Sequence, residues 1–462
     1  MAGTSVDRLN APARPAPNAA RSRDRPARLE QLEAREMSKN VLIVGGGLGG
    51  LMLATLLGRQ ARKTGAFAVS LIDRAPVHVW KPMLHAFAAG TANAHEDGVP
   101  YLAQARRAGF TYLPGEFHAI DRNAKEVGIR MTGLDDGATD ATRVPYDVLV
   151  IAIGSGSNDF GTPGVAEHCH CIDSLWGAEA LNKTIRREIV KSAIRGGDID
   201  IAVIGGGATG VEFVAETARL VDVGASYSGI DLRSRLQLTL LDAGDRILGG
   251  FPEDLADRVS AKLSELGVVV ETGAKVTSAD AAGFALAGGG RVDAAVRVWA
   301  AGVKAPAPLT GAIDLERAPS GQILVTPTLQ AQSDPSIFAL GDCTRFTPRG
   351  GQRPLPPTGQ VARQQADHLA KAIPAFLRGE ALADFAYRDM GSLVSLSQYG
   401  AYGSIAGRGP IPSVAIQGWF AKRAHRVFYR MHQFGLYGPV GGAIVMARDG
   451  LNSLIKPAVR FD

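Results

Sequence analysis

One pattern occurs twice in this chain and limits its fold more than any other feature: an apolar strand, a glycine-rich turn, a helix and a second strand. The first copy runs from VLIV (41–44) through the turn at 45–50 to VSLID (69–73). The second runs from IDIAVIG (199–205) through the turn at 205–210 to LQLTLLD (236–242). Strands and helices that alternate in this order build parallel sheets covered by helices. The sequence therefore predicts an α/β protein with two Rossmann-like dinucleotide-binding domains.

Both turns have the G-x-G-x-x-G spacing that holds the pyrophosphate of a dinucleotide. The glycines are Gly45, Gly47 and Gly50 in the first turn and Gly205, Gly207 and Gly210 in the second. The first glycine of each set allows a tight turn, the second lets the backbone approach the pyrophosphate, and the third lets helix and strand pack closely. The helix then directs its free N–H groups at the phosphates. Two dinucleotide sites are therefore predicted.

An acidic residue ends the second strand of each copy, where a carboxylate can accept hydrogen bonds from ribose hydroxyls. These residues are Asp73 and Asp242. Asp242 lies further from its glycines than the usual interval of about 20 residues, which indicates a longer helix and loop between them. Its negative charge would repel a 2′-phosphate, so we expect NADH to be preferred over NADPH. Arg246 is the one residue nearby that would favour NADPH, and we expect it to form a surface ion pair instead.

Three further segments resemble motifs of the two-dinucleotide flavoproteins. SIFALGD (336–342) resembles their second FAD motif, in which the aspartate, here Asp342, contacts the ribityl and pyrophosphate region. IAIGS (151–155) and VWAAG (298–302) resemble the two crossover segments between the domains, and they contain Gly154 and Gly302. The resemblance implies that FAD binds to the first domain and NADH to the second.

A narrower resemblance follows from VWKPMLH (79–85) and the AAG at 88–90, which are similar to the type II NADH:quinone oxidoreductases. The similarity continues through GSGSNDFGTPG (154–164), GATGVE (207–212), WAAGVK (299–304) and GDC (341–343), and extends from residue 40 to about residue 438. Members of this family are single-subunit enzymes of respiratory membranes that do not pump protons. The resemblance implies that the chain oxidises NADH by hydride transfer to FAD and passes two electrons to a quinone.

The family also implies roles for individual residues. Contacts to FAD are expected from Lys81, Gly154, Asp342, Gly359 and Gln360, and contacts to NADH from Glu212 and Gly302. Gln360 and Gln364 are four residues apart and share one face of a helix, so their amides could bind a quinone carbonyl and the flavin edge. Glu212 would place the nicotinamide or route a proton. Glu212, Gln360 and Gln364 are the predicted catalytic residues. Gly359 departs from the family, which usually has alanine there.

Other classes of chemistry find little support in the sequence. The stretch 78–97 contains no cysteine, whereas the disulfide reductases of this fold carry a redox-active cysteine pair there. Three cysteines in all, Cys169, Cys171 and Cys343, make neither a disulfide framework nor a zinc site. We therefore expect no metal site. A net charge of +5 gives no reason to expect a nucleic-acid partner. No window approaches the 18 or so apolar residues of a membrane-spanning helix, so we also expect no membrane span.

The C-terminal part has a composition suited to a membrane surface. WFAKRAHRVFYRMHQF (419–434) mixes aromatic and apolar residues with Lys422, Arg423, Arg426 and Arg430. Such a helix can lie in the interface of an anionic bilayer, and the family has a membrane-binding element at this end. A helix packed on the FAD domain, with a homodimer contact outside, is the alternative. We expect a peripheral protein on the cytoplasmic face of the inner (cell) membrane.

We predict five segments: a disordered extension (1–38), the FAD-binding domain in two parts (39–160 and 311–388), the NADH-binding domain (161–310) and a C-terminal interface region (389–462). Two other functions remain open at this point. A sulfide:quinone oxidoreductase shares the fold but needs cysteines on both sides of the flavin and no nicotinamide site. A flavoprotein of the apoptosis-inducing-factor type would be reoxidised slowly by quinone. Ubiquinone and menaquinone are both compatible with the sequence.

Overall fold

The computed structural model describes residues 39–131, 142–306, 313–405, 407 and 414–452. The predicted disordered extension, 1–38, lies outside the described residues. The elements before the second glycine turn are β1 (Lys39–Val44), α1 (Leu48–Thr64), β2 (Phe67–Asp73), β3 (Val77–His78), α2 (Leu84–Ala88), α3 (Ala94–Asp97), β4 (Val99–Pro100), α4 (Tyr101–Ala108), β5 (Thr111–Asp121), β6 (Glu126–Met131), β7 (Thr142–Pro145), β8 (Val148–Ile151), β9 (Gly156–Ser157), α5 (Val165–His168), β10 (His170–Cys171), α6 (Leu175–Arg195) and β11 (Ile199–Ile204).

The remaining elements are α7 (Ala208–Ser228), β12 (Leu236–Leu241), α8 (Glu253–Glu265), β13 (Val268–Glu271), β14 (Val276–Ala279), β15 (Gly283–Leu286), β16 (Arg291–Asp293), β17 (Val296–Trp299), β18 (Val303–Lys304), β19 (Ile323–Leu324), β20 (Gln330–Ala331), β21 (Asp334–Ala339), β22 (Thr344–Arg345), α9 (Gly359–Leu377), β23 (Ser392–Ser395), β24 (Ala401–Ile405), β25 (Val414–Gln417) and α10 (Trp419–Asn452).

Two separate sheets confirm the predicted pair of Rossmann-like modules. The first sheet has the order β20-β21-β8-β1-β2-β5-β6-β7, and its strands from β21 to β5 are parallel. The second sheet has the order β10-β17-β11-β12-β13 and is parallel throughout. Strands of both sheets are apolar runs because helices cover both faces of a parallel sheet. The late strand β21 returns to the first sheet beside β8, so this module, called the first module below, is built from two parts of the chain.

The third glycine of each fingerprint is required by the packing of helix on strand. A Cβ added to Gly50 would lie 1.8 Å from the Gly45 carbonyl oxygen, and one added to Gly210 would lie 2.0 Å from that of Gly205. Both distances are far below van der Waals contact. The two turns therefore repeat the same geometry, as expected for two copies of one supersecondary unit.

The chain passes between the modules through two crossover segments. β9 leaves the first sheet after β8 and pairs antiparallel with β18, which follows β17 of the second sheet. Asn158 accepts a hydrogen bond from the indole of Trp299 through its carbonyl oxygen (2.8 Å), and its own N–H donates to the carbonyl of Gly302 (3.3 Å). The crossover segments identified in the sequence thus touch each other at the junction.

The C-terminal region contacts both modules. β23, β24 and β25 form an antiparallel sheet whose first strand packs on α7 of the second module. The helix α10 turns back to the first module, where Arg59 donates to the carbonyl oxygens of Gly435 (3.1 Å) and Leu436 (2.5 Å). α10 is longer than the aromatic stretch 419–434 seen in the sequence, because the helix resumes after a break at Gly438 and Pro439. Within the part of the chain that the structure describes, no helix has the length and hydropathy of a membrane span.

Candidate active site

A cavity of about 1270 Å³ lies where the two modules and the C-terminal region meet. Most of the residues expected to touch ligands line it: Gly47, Lys81, Gly154, Glu212, Gly302, Asp342, Gly359, Gln360 and Gln364. The other predicted cofactor residues are not among the described residues that line it; they lie in the two glycine turns or at the ends of β2 and β12: Gly45, Gly50, Asp73, Gly205, Gly207, Gly210 and Asp242. Residues that are distant in the sequence therefore share one space.

The two predicted ribose-binding aspartates have equivalent positions. Asp73 accepts the N–H of Gly46 (2.6 Å), and Asp242 accepts the N–H of Gly206 (2.5 Å). Burial is the main reason why the pKa of Asp73 is raised, although the N–H groups of Ala75 and Gly46 oppose the rise. Each carboxylate thus fixes the glycine turn of its own module. Contact with a ribose remains a prediction for both.

Arg246 does not make the surface ion pair that we expected. Its guanidinium donates instead to the carbonyl oxygens of Phe251 (3.0 Å) and Gly249 (3.2 Å), and so closes the loop after Asp242. A guanidinium has five N–H donors. Two of its nitrogens here donate to backbone carbonyl oxygens of the loop that borders the cavity. Phe251 itself lines that cavity.

A polar chain crosses the floor of the cavity on the side of the first module. The ammonium group of Lys81 donates to the carbonyl and hydroxyl oxygens of Ser155, both at 2.9 Å. The Ser155 hydroxyl donates to Asp342 Oδ2 at 2.8 Å, and Lys81 Nζ is 3.8 Å from the same oxygen. Ser155 was not among the residues singled out in the sequence. Its position next to Gly154 in a crossover segment was the available signal.

Open glycine positions beside this chain leave room for a nucleotide cofactor. A Cβ added at Gly47 or Gly154 would meet no protein atom within 4 Å, although both residues line the cavity. Gly154 has a φ of 71°, a conformation that favours glycine. A donor, a hydroxyl and a carboxylate follow along the same wall at Lys81, Ser155 and Asp342. These residues fit FAD: the first turn, Lys81, Ser155 and Asp342 would hold it, and contact of each with the cofactor remains a prediction.

Glu212 is a buried carboxyl group that is held from two directions. It lies in the first turns of α7, and its Oε1 accepts the N–H of Ser395 at 2.9 Å. Its Oε2 is 3.3 Å from Nδ1 of His85, a buried residue of α2. Burial raises the pKa of Glu212 to about 8, the Ser395 N–H opposes this, and the nearby Glu216 adds to it. The carboxyl group therefore keeps its proton to a higher pH than an exposed glutamate does.

Gln360 and Gln364 share a face of α9, as their spacing predicted, and both bind the backbone of the segment 388–391. The Gln360 Nε2 donates to the Gly391 carbonyl oxygen (2.6 Å), while its Oε1 accepts the N–H of Met390 (3.1 Å). Thr358 caps the helix by accepting the N–H of Val361 at 3.3 Å. An amide nitrogen has two N–H groups, so each glutamine that lines the cavity still has a second donor.

Aromatic and apolar side chains form the wall on the side of α10. Trp80 packs against Tyr429 with ring centroids 5.3 Å apart, and against His432 at 6.4 Å. Phe428 and Met431 extend the same wall. This side has the apolar character that a quinone ring or isoprenoid tail requires.

His78 and His432 form a buried pair, and His432 also lines the cavity. Nε2 of His78 is 3.1 Å from Nε2 of His432, and Nδ1 of His78 is 3.0 Å from the Gly46 carbonyl oxygen. A carbonyl can only accept, so Nδ1 of His78 carries the proton and the donor between the two rings is His432. Burial lowers the pKa of His78 to about 4 and that of His432 well below its ordinary value. α10 is thus linked to the first glycine turn.

Thiols are absent from this wall. Among the described residues that line the cavity there is no cysteine. Cys343 is fully buried, and burial raises the pKa of its thiol to about 12. Cys169 and Cys171 pack in the second module. The described part of the chain also contains no cluster of His, Cys, Asp or Glu suited to a metal ion.

Known proteins resemble both the sequence and the fold. The family model of the pyridine nucleotide-disulphide oxidoreductases matches residues 39–366. A type II NADH:quinone oxidoreductase of Haemophilus influenzae is 37% identical over 92% of this chain and 100% of its own length. One of Staphylococcus aureus is 30% identical over 80% of this chain and 90% of its own length.

A solved structure extends the likeness to the fold. NDH2 from Plasmodium falciparum in complex with NADH has a TM-score of 0.78 at 17% identity, covering 92% of this chain and 100% of that one. At this identity the match bears on the fold alone. The family model and the two bacterial relatives carry the assignment: the chain belongs to the pyridine nucleotide-disulphide oxidoreductases and, within them, to the type II NADH:quinone oxidoreductases.

Proposed function

We propose that the chain oxidises NADH by hydride transfer to FAD and passes the two electrons to a quinone. The observation that carries this proposal is the shared cavity, whose wall contains residues from both glycine fingerprints and from the apolar side of α10. FAD, when bound, supplies a group that accepts a hydride and returns two electrons to a second substrate. The protein's task is to orient the substrates, exclude water and provide protons.

The first turn and the Lys81–Ser155–Asp342 chain would hold FAD, and the second turn with Gly302 would hold NADH. Gly302 lines the cavity with a φ of 66° and lies against the ring of Phe160. A side chain there would collide with that ring. The crossover therefore offers a bare backbone to the nicotinamide end of the nucleotide.

Glu212 is proposed to place the nicotinamide and to supply a proton. Because its pKa is raised to about 8, the carboxyl group can donate a hydrogen bond to an amide oxygen or release a proton at neutral pH. A negative charge at this place would instead favour the oxidised nicotinamide ring, which is cationic. Reduction of a quinone consumes protons, so a protonated carboxyl group in the wall suits the second half-reaction.

The quinone is proposed to enter between the segment 387–391 and the apolar side chains of α10. Met390, Phe428 and Met431 line this part of the cavity. Gln360 and Gln364 lie beside it, where a second N–H of either amide would bind a quinone carbonyl.

The exposed side of α10 supports a proposal of peripheral membrane binding at the cytoplasmic face. Val440, Ile444 and Leu451 are 74%, 64% and 65% exposed. Their spacing places them on one helical face, and the break at Gly438 separates them from Leu436, which is fully buried. A bare apolar helix face fits the interface of a bilayer, and the basic residues in the sequence of α10 would favour anionic lipid. This face lies in the part of α10 that follows Phe434. A homodimer is a further expectation, which light scattering of the detergent-solubilised protein would check.

A stopped-flow experiment with purified protein tests the redox proposal. Mixing with NADH should bleach the flavin absorbance, and mixing the reduced protein with a soluble quinone should restore it within the turnover time. Slow recovery with quinone would indicate an NADH-regulated flavoprotein of the apoptosis-inducing-factor type. Bleaching by sulfide but not by NADH would indicate sulfide chemistry.

Vesicle binding tests the membrane proposal. Ile444→Glu should reduce co-sedimentation with vesicles that contain anionic lipid, while NADH oxidation with a soluble quinone continues. Ile194→Glu is the matched control, because Ile194 is 78% exposed on α6 of the second module. Equal binding by both variants would show that the membrane contact lies elsewhere.

A further inference from the structure

His85 approaches Glu212 from the other module. It lies in α2, which follows the first glycine unit in the chain, whereas Glu212 is in α7 behind the second turn. Both residues line the cavity, and His85 is only 5% exposed. The contact between Nδ1 and Oε2 measures 3.3 Å. In the sequence this histidine, four residues after Lys81, has no feature that favours a functional role over a packing role.

The contact requires a proton between its two atoms. A carboxylate oxygen and an unprotonated ring nitrogen are both acceptors, and burial without a shared proton would be unfavourable. The proton belongs either to the carboxyl group or to the imidazole. Ser395 donates to the other oxygen, Oε1, in either case. A change in the protonation of Glu212 therefore affects the contact between its Oε2 and His85.

Other charged groups surround this pair at greater distance. Glu216 follows one turn later on α7, is also buried, and lies 3.7 Å from Arg219. Burial raises the pKa of Glu216, and Arg219 opposes the rise. Arg186 of α6 lies near Gly90 at the end of α2. A second carboxyl group on the same helix face makes a negative charge on Glu212 costly, so a donor at His85 has a large effect.

We propose that His85 is a positioning residue for Glu212: its ring fixes the carboxyl group in the cavity wall and governs whether that group keeps its proton at the pH of the reaction. This rests on the proposed role of Glu212 in proton supply. An N–H donor to a carboxylate makes a charge-assisted bond, which is about twice as strong as its neutral counterpart. His85 therefore stabilises the charged form of Glu212 more than the protonated form.

The overall reaction shows why this matters. NADH, one proton and a quinone give NAD⁺ and a quinol, so each turnover takes one proton from solvent in addition to the hydride. If Glu212 delivers that proton, its O–H bond breaks as an O–H bond of the quinol forms, and solvent then restores it. The group must hold the proton before electron transfer and release it readily afterwards. A donor at His85 stabilises the carboxylate that remains.

The test measures flavin reoxidation by a soluble quinone as a function of pH. His85→Phe should slow reoxidation at pH 7 about tenfold and move the alkaline limb of the pH profile to higher pH by about one unit. His85→Asn should restore both, because its amide nitrogen can occupy the place of Nδ1. His85→Gln, whose amide lies nearer the position of Nε2, should not. His118→Phe is the control, a half-buried histidine in β5 of the first module.

Two further variants separate the inference from its premise. In a Glu212→Gln background, His85→Phe should add no further slowing, because a positioning residue acts through the group it positions. An unchanged rate and pH profile in Glu212→Gln would overturn the role of Glu212 itself. A slow Glu212→Gln enzyme together with an unshifted profile in both His85→Phe and His85→Gln would overturn only the inference about His85. Flavin content of each variant shows that the fold is retained.

Discussion

The side-chain amide of Gln364 is paired with a single backbone unit, that of Arg388. Nε2 donates to the Arg388 carbonyl oxygen at 2.8 Å, and Oε1 accepts the Arg388 N–H at 3.0 Å. One turn earlier on α9, the Gln360 amide donates to the Gly391 carbonyl oxygen and accepts the N–H of Met390. The segment that follows reaches the second module, where Ser395 donates to Glu212. The two glutamines therefore fix one end of the segment 388–395, called the strap below, which runs between the modules along the cavity.

Replacing both glutamines with leucine removes the four hydrogen bonds to this strap but keeps the helix. We expect reduction of the flavin by NADH to stay fast, because the nicotinamide turn belongs to the other module. Reoxidation by quinone should slow about tenfold or more, since each hydrogen bond lost is worth about 1 kcal/mol or more. Stopped-flow absorbance separates the two half-reactions.

Gln237→Leu is the control for this pair, because Gln237 is exposed on β12. An unaltered reoxidation rate with FAD still bound would mean that the quinone docks away from α9. Loss of FAD from the double variant would mean that the two amides chiefly hold the flavin ring.

A matched pair of glycine substitutions tests which module binds which nucleotide. Gly50→Ala places a methyl group 1.8 Å from the Gly45 carbonyl oxygen, and Gly210→Ala places one 2.0 Å from that of Gly205. We expect Gly50→Ala to lose FAD. Gly210→Ala should keep FAD, measured by its visible absorbance, but raise the KM for NADH at least tenfold. The opposite pattern would reverse the assignment of the two modules.

Asp242 should make the enzyme prefer NADH, and the ratio of kcat/KM for NADH and NADPH measures this preference. In Asp242→Ala the kcat/KM for NADH should exceed that for NADPH by a smaller factor. Adding Gly244→Arg should reduce this factor further by offering a cation to the 2′-phosphate. The structure allows this combination, because a Cβ at Gly244 lies 3.0 Å from Asp242 Oδ1, an atom that the first substitution removes. Equal kcat/KM values in the unmodified protein would refute the premise.

The buried pair His78 and His432 should make α10 sensitive to acid. The pKa of His78 in the folded protein is lowered to about 4, below its ordinary value of about 6.5. The unfolded chain therefore binds more protons between these values, and stability falls as the pH drops from about 6.5 to about 4. For His78 alone the loss amounts to about 3 kcal/mol at the lower end.

Trp80 is a reporter for this effect, because its ring packs against Tyr429 and His432. The urea midpoint followed by tryptophan fluorescence should fall more steeply with acidity in the unmodified protein than in His78→Asn. Asparagine can still donate to the Gly46 carbonyl but does not titrate. Parallel pH dependences would show that other groups control the acid sensitivity.

Local patterns in the sequence were sufficient to predict the two Rossmann-like modules. The apolar runs and glycine spacings at 45–50 and 205–210 define strand, turn and helix within a few residues of each other, and the steric demand at Gly50 and Gly210 is set by those same neighbours. The glycines predicted to bind the two dinucleotides came from the same segments, whereas Lys81, Asp342 and Gln360 were predicted from the family resemblance. What these segments imply depends on backbone geometry over short distances, which the sequence specifies directly.

Tertiary structure alone decided which side chains meet. His78 and His432 are 354 residues apart in the chain, and Glu212 and Ser395 are 183 apart. No periodicity links such positions, because their contact depends on how two modules and a returning C-terminal region pack around one cavity. The same is true of His85. Its sequence context is that of an ordinary core residue, and only the packing of α2 against α7 places it next to Glu212. Burial then determines its significance, since only in a site shielded from water does one donor decide the charge of a carboxyl group.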